Sequence, residues 1–332
     1  MAKKLKDTDF LSISSRIRAM ENRLLTRERM ERMLDARTGE EAAKVLTECG
    51  YAELNQLTPS ALDTMLSQAR EETYRELGEA VDNAGLVDVF RIKYDYHNAK
   101  VLVKAQAMSQ DPTRLLAEGG RYRPDTLREA YEKEDLESCS KAFREAVLQA
   151  RDTLAATSDP QSADMLLDQA YYAELLDIAQ KTGSQFLLGY VRLSIDAANL
   201  RSAVRSARME RGADFLAKVL IPGGNVPVFR ITGAKEGELT GLFTGLLAEA
   251  AVLGVERSAP GSGRLTAFER ACDNALMAYM AQAKRVPFGE QPVVGYLFAK
   301  ESEFTAIRII LSGRMDQLGA DVIRERLREA YV

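Results

Sequence analysis

The chain has 332 residues, room for one to three domains at roughly 150 residues each. Its 45 basic and 49 acidic side chains leave a net charge of −4, which excludes the basic excess of a general nucleic-acid binder. An apolar fraction of 46% with only 9 prolines and no tryptophan excludes a disordered chain and favours helix over sheet.

The start, MAKKLKDTDF, is basic but precedes no apolar core segment, so it does not read as a secretory signal. Segment 13–34 places Ile13, Ile17, Met20, Leu24 and Leu25 at three- and four-residue steps, which predicts an amphipathic helix. Segment 60–83 repeats the pattern through Leu62, Met65, Leu66, Ala69, Tyr74 and Leu77. The apolar runs Val101–Val103 and Phe186–Leu188 could be strands, yet each sits inside a longer helical pattern and reads as buried helix. Segments 124–156 and 162–182 predict further amphipathic helices. Segment 221–232, IPGGNVPVFRIT, has two prolines, two glycines and β-branched residues, the best candidate for irregular or strand-like backbone. Helical patterns return over 236–255, 265–284 and 317–332, with a loop expected at 257–264, RSAPGSGR. The most apolar stretch, 241–255, carries Glu249 and falls short of the roughly 18 apolar residues that suggest a membrane span. Cys49, Cys139 and Cys272 lie far apart, give no disulfide framework, and read as buried small apolar residues in a reducing cytoplasm.

The most informative feature is internal similarity at a period near 100 residues. Asp95, Asn98 and Lys100 recur as Asp196, Asn199 and Arg201, and again as Glu303, Ala306 and Arg308, each set followed by a mainly apolar run. Ser67-Gln68-Ala69, Asp168-Gln169-Ala170 and Asp273-Asn274-Ala275 precede the three acids at nearly constant distance. Gly119-Gly120 and Gly223-Gly224 follow the first two acids, and the third has no such pair before the chain ends. The repeat predicts three related helical modules, 1–115, 116–218 and 219–332, whose apolar faces are buried by stacking on one another. Similar links and similar interfaces predict curling toward a ring or funnel with a concave inner surface.

Asp95 and Asn98 share one helix face, and Lys100 points elsewhere. Three roles are open to the repeated set: an N-cap for Asp95 and Asp196, a polar clasp fixing the register of the modules, or a lining for the concave surface. His97 is the only histidine and has no CxxC, HExxH or second histidine beside it, so it reads as a surface or structural residue. No GxxxxGK[ST] or strand-borne GxGxxG occurs, so no nucleotide site is expected, and the glycine pairs read as helix terminators between modules. Segment 317–332 carries Ile323, Leu327, Ala330 and Tyr331 as an apolar stripe, with Arg324, Arg326 and Arg328 on the other sides as possible partner contacts.

Taken in order, Arg16 to Met20, Leu24-Leu25, Met33 to Ala36, Leu46 to Tyr51, the Asp95 and Asp196 sets, Phe268-Glu269, Pro287 to Gly289, Tyr296-Leu297, Lys300-Glu301, Ile307-Arg308 and Ile323 to Val332 resemble the C subunit of prokaryotic V-type ATPases, the counterpart of the eukaryotic d subunit. The resemblance covers essentially the whole chain. One departure is Ala306, where the family often carries Asn. The resemblance implies an all-α funnel of three similar subdomains without catalysis or cofactor of its own. It implies a seat on the cytoplasmic face of the membrane proteolipid ring and a mouth that receives the central axle, built from the D and F proteins. Such a socket couples ATP turnover in the soluble head to proton or sodium transport. Two other readings share parts of this pattern: a helical-repeat scaffold of another complex, and an all-helical enzyme using Asp95, His97 and Lys100.

Overall fold

The computed structural model describes residues 5–235 and 237–332, and among them the chain is all-helical with no strand. Four helices form the first third: α1 (Leu11–Glu21), α2 (Arg27–Asp35), α3 (Gly39–Lys44) and α4 (Pro59–Ala80). They lead into α5 (Gly85–Met108). Next come α6 (Pro124–Glu132), α7 (Lys141–Thr157), α8 (Pro160–Thr182) and α9 (Gln185–Arg208). The last third holds α10 (Ala213–Val219), α11 (Val228–Thr232), α12 (Leu239–Leu242), α13 (Ala248–Glu256), α14 (Thr266–Met280), α15 (Glu290–Met315) and α16 (Ala320–Arg324).

The longest helices carry the repeated acids. Asp95 lies inside α5, Asp196 inside α9 and Glu303 inside α15. The runs Val101–Val103 and Phe186–Leu188 are helical, inside α5 and α9. The N-terminal halves of these three helices meet in one large apolar core. There Phe90, Tyr190 and Phe298 stand five, six and five residues before the acids. Phe90 stacks on Tyr190 at 6.0 Å between centroids, and Tyr190 meets Phe298 edge-on at 5.5 Å. The C-terminal halves diverge. That of α9 enters a core with α13 and α14, formed from Ala197 to Ala275. That of α15 enters a core built from both ends of the chain, Leu25 to Leu66 and Phe304 to Leu327. Each of the two smaller cores therefore joins segments from different thirds of the chain, with α5 packed on α7 and α8, α9 on α13 and α14, and α15 on helices of the first third.

Several expected helices are interrupted. Segment 13–34 breaks at 22–26, where Leu24 and Leu25 are buried in the turn itself and so continue the helical period without helical backbone. Thr26 then restarts the chain as the cap of α2, its hydroxyl accepting the Arg29 N–H at 3.2 Å. Segment 124–156 breaks at 133–140, where Glu134 is left-handed and Ser140 caps α7. Segment 236–255 resolves into α12 and α13 with a turn between them, and position 236 lies outside the described residues, as do 1–4 at the basic start. Over 221–232 there is no strand: a loop runs into α11. The loop at 257–264 is present, with left-handed Gly261 and Gly263. Segment 317–332 is helical only through α16. Beyond it the backbone turns to partners on other helices, and Glu329 N–H donates to Asn274 Oδ1 at 3.0 Å instead of to a carbonyl one turn back.

Candidate functional site: three clasps and a cavity

Asp95 is fully buried in mid-helix, so it caps nothing. Its carboxylate accepts the backbone N–H groups of Arg121 (2.8 Å) and Tyr122 (3.3 Å) and the Arg121 guanidinium at 2.6 Å. One turn along, Asn98 brackets Ala117, accepting its N–H at 2.7 Å and donating to its carbonyl at 2.9 Å. The second copy repeats this arrangement. Asp196 accepts the N–H of Asn225 (3.1 Å) and Val226 (3.0 Å), and Asn199 brackets Ile221 with two bonds of 2.8 Å. Burial pushes the Asp95 carboxyl up to about 6 against the pull of Arg121, and burial also raises Asp196.

These loops can reach a carboxylate as short as aspartate only because each presents a glycine there. A β-carbon on Gly120 would lie closer than 3.0 Å to Asp95 Oδ1, and one on Gly224 would meet Asp196 Oδ1 in the same way. The glycine pairs thus do not terminate the acid-bearing helices. Helix α5 already ends at Met108 and α9 at Arg208. The pairs let backbone approach a buried anion, and left-handed Gly119 and Gly223 turn the chain toward it.

The third copy solves the same problem with a longer side chain. Glu303 accepts the N–H of Leu25 at 2.5 Å, together with the Tyr51 hydroxyl and the Lys300 ammonium. The additional methylene spans the distance, so the loop keeps the side chains of Leu24 and Leu25 and needs no glycine. Ala306 stands at the amide position and brackets nothing; it is buried beside a cavity.

The repeated bases reach across in the same sense. Lys100 pairs with Asp168 at 2.6 Å, Arg201 with Glu269 (2.6 Å) and Asp273 (2.5 Å), and Arg308 with Asp63. Their partners lie within or one turn before the Ser67, Asp168 and Asp273 repeat positions. Both sets of contacts run head to tail along the sequence: first third of the chain to second, second to last, last back to first. The last step joins residues near opposite ends of the chain.

Sequence repetition did not mark the other polar nodes. Glu174 accepts Arg121, Tyr96 and Ser140 at 2.9, 2.9 and 2.6 Å. Glu301 accepts Arg70 (3.3 Å), Lys93 (2.6 Å), Tyr94 (2.6 Å) and Tyr74, tying α15 to α4 and α5. Burial works to raise the Glu301 carboxyl, but Lys93 and Arg70 outweigh it and leave it below its ordinary value. A signal existed for Glu301 only in its neighbour Lys300 and the resemblance.

A cavity of 290 Å³ opens among the three long helices, bordered by Phe90, Tyr190, Phe298, Glu303 and the chain end. Glu303 borders it, whereas Asp95, Asn98, Asp196 and Asn199 face their loops. His97 is exposed and meets the Leu115 carbonyl at 3.0 Å, away from any acid–base set. Cys49, Cys139 and Cys272 are buried free thiols, and burial raises Cys49 to about 11. Arg324 is committed to Glu31 and Asp321, Arg328 to Asp273, and Arg326 is exposed. Among the described residues no group of three or more His, Cys, Asp or Glu side chains is placed to hold a metal ion.

The class defined by these observations is an all-helical structural protein whose buried ion pairs are spent on joining its own repeats. The family model described as ATP synthase (C/AC39) subunit matches residues 13–326, and the chain belongs to that family. The C subunit of the V-type sodium ATPase of Enterococcus hirae is 22% identical over 97% of this chain and 99% of its own length. The C subunit of the V-type ATP synthase of Deinococcus radiodurans is 26% identical over 96% and 91%, and that of the A-type ATP synthase of Methanocaldococcus jannaschii 23% over 95% and 85%. The protein is accordingly a structural, non-catalytic member of a rotary ATPase complex. No helix among the described residues is long and apolar enough to cross a membrane.

Proposed function

We propose that the chain is the central-stalk connector of its complex: a funnel of three modules (1–115, 116–218 and 219–332) that seats on the cytoplasmic face of the proteolipid ring and receives the foot of the D–F axle. The observation that carries this reading is the head-to-tail clasp: the contacts run from the first third of the chain to the second, from the second to the third and from the third back to the first, an order that suits a closed sleeve. Such a sleeve suits torque. Shear applied at the mouth loads three similar junctions together, and close-packed helical interiors pass strain on rather than absorb it. Asp95, Asn98, Lys100, Asp196, Asn199, Arg201, Glu303 and Arg308 hold the sleeve closed, and exposed Arg326 is offered to a partner. The socket links ATP turnover to proton or sodium movement, with the ion site residing in the ring.

A pull-down from detergent-solubilised membranes tests this. Tagged chain should recover D, F and the proteolipid, and cross-links should place D at the cavity mouth. Recovery of an unrelated assembly instead would favour the scaffold reading.

A further inference from the structure

The end of the chain does not continue the bundle. It runs as a non-helical strap from Leu327 to Val332, anchored at three points. Arg328 Nε donates to Asp273 Oδ2 at 2.6 Å, taking the second oxygen of a carboxylate whose other oxygen accepts Arg201. Glu329 N–H donates to Asn274 Oδ1 at 3.0 Å. Lys284 Nζ donates to the Tyr331 carbonyl at 3.2 Å, and the Tyr331 ring is 5% exposed in a notch kept open by Gly295, where a β-carbon would strike the phenol.

Cavities lie on both sides of this strap. One is the 290 Å³ space among α5, α9 and α15. The other, of 760 Å³, lies between α2 on one side and α13 and α14 on the other. Arg328, Glu329, Ala330 and Val332 line both, so the strap is the partition between them. With the strap withdrawn, the inner cavity becomes continuous with the larger outer space.

We propose that residues 327–332 are an autoinhibitory strap: in the free chain they stand between the two cavities, and they withdraw when the foot of the partner axle enters. The inference rests on the socket reading and adds a gate to it. The contacts given up define the displacing foot, which carries a cation for Asp273 and an apolar side chain for the notch beside Gly295. Strap release also frees Arg328, which within the closed chain is committed to Asp273.

The test uses the full chain with Cys49, Cys139 and Cys272 replaced by Ala and the pair Asn274→Cys and Glu329→Cys introduced. A short, reducible bifunctional thiol cross-linker then pins the strap. Affinity for a co-expressed D–F pair is measured before cross-linking, after it, and after reduction. The expected result is at least tenfold weaker binding when pinned, with full recovery on reduction. Equal affinity in the pinned and reduced forms overturns the gate while leaving the socket standing. If no form, wild type included, binds D–F, the socket reading falls and the gate with it. Trypsin gives a second reading on wild-type chain. Cleavage after Arg326 and Arg328 should accelerate several-fold when D–F is added, and slower cleavage would overturn displacement.

Discussion

Placing a methyl group at Gly120 tests the clasp where its geometry is tightest. The alanine backbone is unstrained there, because Gly120 is not left-handed, so the only new element is the β-carbon driven against Asp95 Oδ1. Regaining van der Waals distance requires the loop to withdraw by on the order of 1 Å. That movement stretches the Arg121 and Tyr122 N–H bonds and misaligns the Arg121 guanidinium. Hydrogen bonds to a charged group contribute about 1.5–3 kcal/mol each, and a disrupted buried ion pair costs about 3–5 kcal/mol. Because the loop yields partly, a net loss of about 3 kcal/mol is expected for Gly120→Ala. At about 2.1 cal/mol/K per residue, unfolding 332 residues carries about 0.7 kcal/mol/K, so Tm should fall by about 4 °C in differential scanning calorimetry. Gly78→Ala is the control: it is exposed in α4 with nothing within 4 Å, and it should gain about 0.5–1 kcal/mol from helix preference alone. Asp95→Ala removes the oxygen that the methyl strikes. In the double variant the two penalties should therefore couple by about 1–3 kcal/mol rather than add. A Gly120→Ala protein within 1 °C of wild type, taking about 1 °C as the resolution of the comparison, or strictly additive penalties, would refute the close-approach argument.

Three further outcomes follow from the same contacts. Glu301→Gln leaves Arg70 and Lys93 facing a neutral amide in a buried site and should cost about 3–5 kcal/mol in urea unfolding. Since the native carboxyl is held below its ordinary value, the stability it contributes is present above the unfolded value near about 4.3 and is lost as pH falls through the folded one. Asp196 behaves in the opposite sense. Burial raises it, so its contribution is fully present below the unfolded value of about 3.9 and is lost as pH rises through the folded pKa. Asp196→Asn should therefore gain on wild type in Tm as pH is raised across that window. The bases differ by exposure. Arg201→Ala breaks pairs with two carboxylates at a side chain 20% exposed and should cost about 2 kcal/mol or more, whereas Arg308→Ala, at 49% exposure, should cost about 0.2–1 kcal/mol.

Much of this architecture is legible in the sequence, because it is written as a repeat. An acid and a base five residues on mark one helix three times, with an amide between them in the first two copies, and the structure gives those two copies the same bonds to loop backbone. What cannot be read is the identity of each partner. Asp95 and Asp196 bind loops 26 and 29 residues downstream, but Glu303 binds Leu25, 278 residues away. No local pattern announces that the chain's start completes its last repeat. The glycine pairs are visible as a motif yet misleading as to purpose, since a glycine that ends a helix and one that admits a carboxylate look alike in sequence. Helix lengths fail where buried turn residues such as Leu24 and Leu25 keep the period running through non-helical backbone. The end of the chain fails for a related reason: Leu327 and Tyr331 are buried as an apolar stripe would require, but by a strap pinned to Asp273, Asn274 and Lys284 rather than by a helix. Glu174 escapes notice because it occurs once, and Glu301, visible only through the resemblance, has no repeat to mark its role.

Coupling itself is the decisive quantity. Ion pumping and ATP hydrolysis are to be measured together in reconstituted vesicles carrying the rotary complex assembled with and without this chain. A central connector predicts that the complex lacking it retains ATP hydrolysis in its soluble head but pumps no ions, and that adding the purified chain restores pumping. Undiminished ATP-driven pumping in its absence would contradict the account.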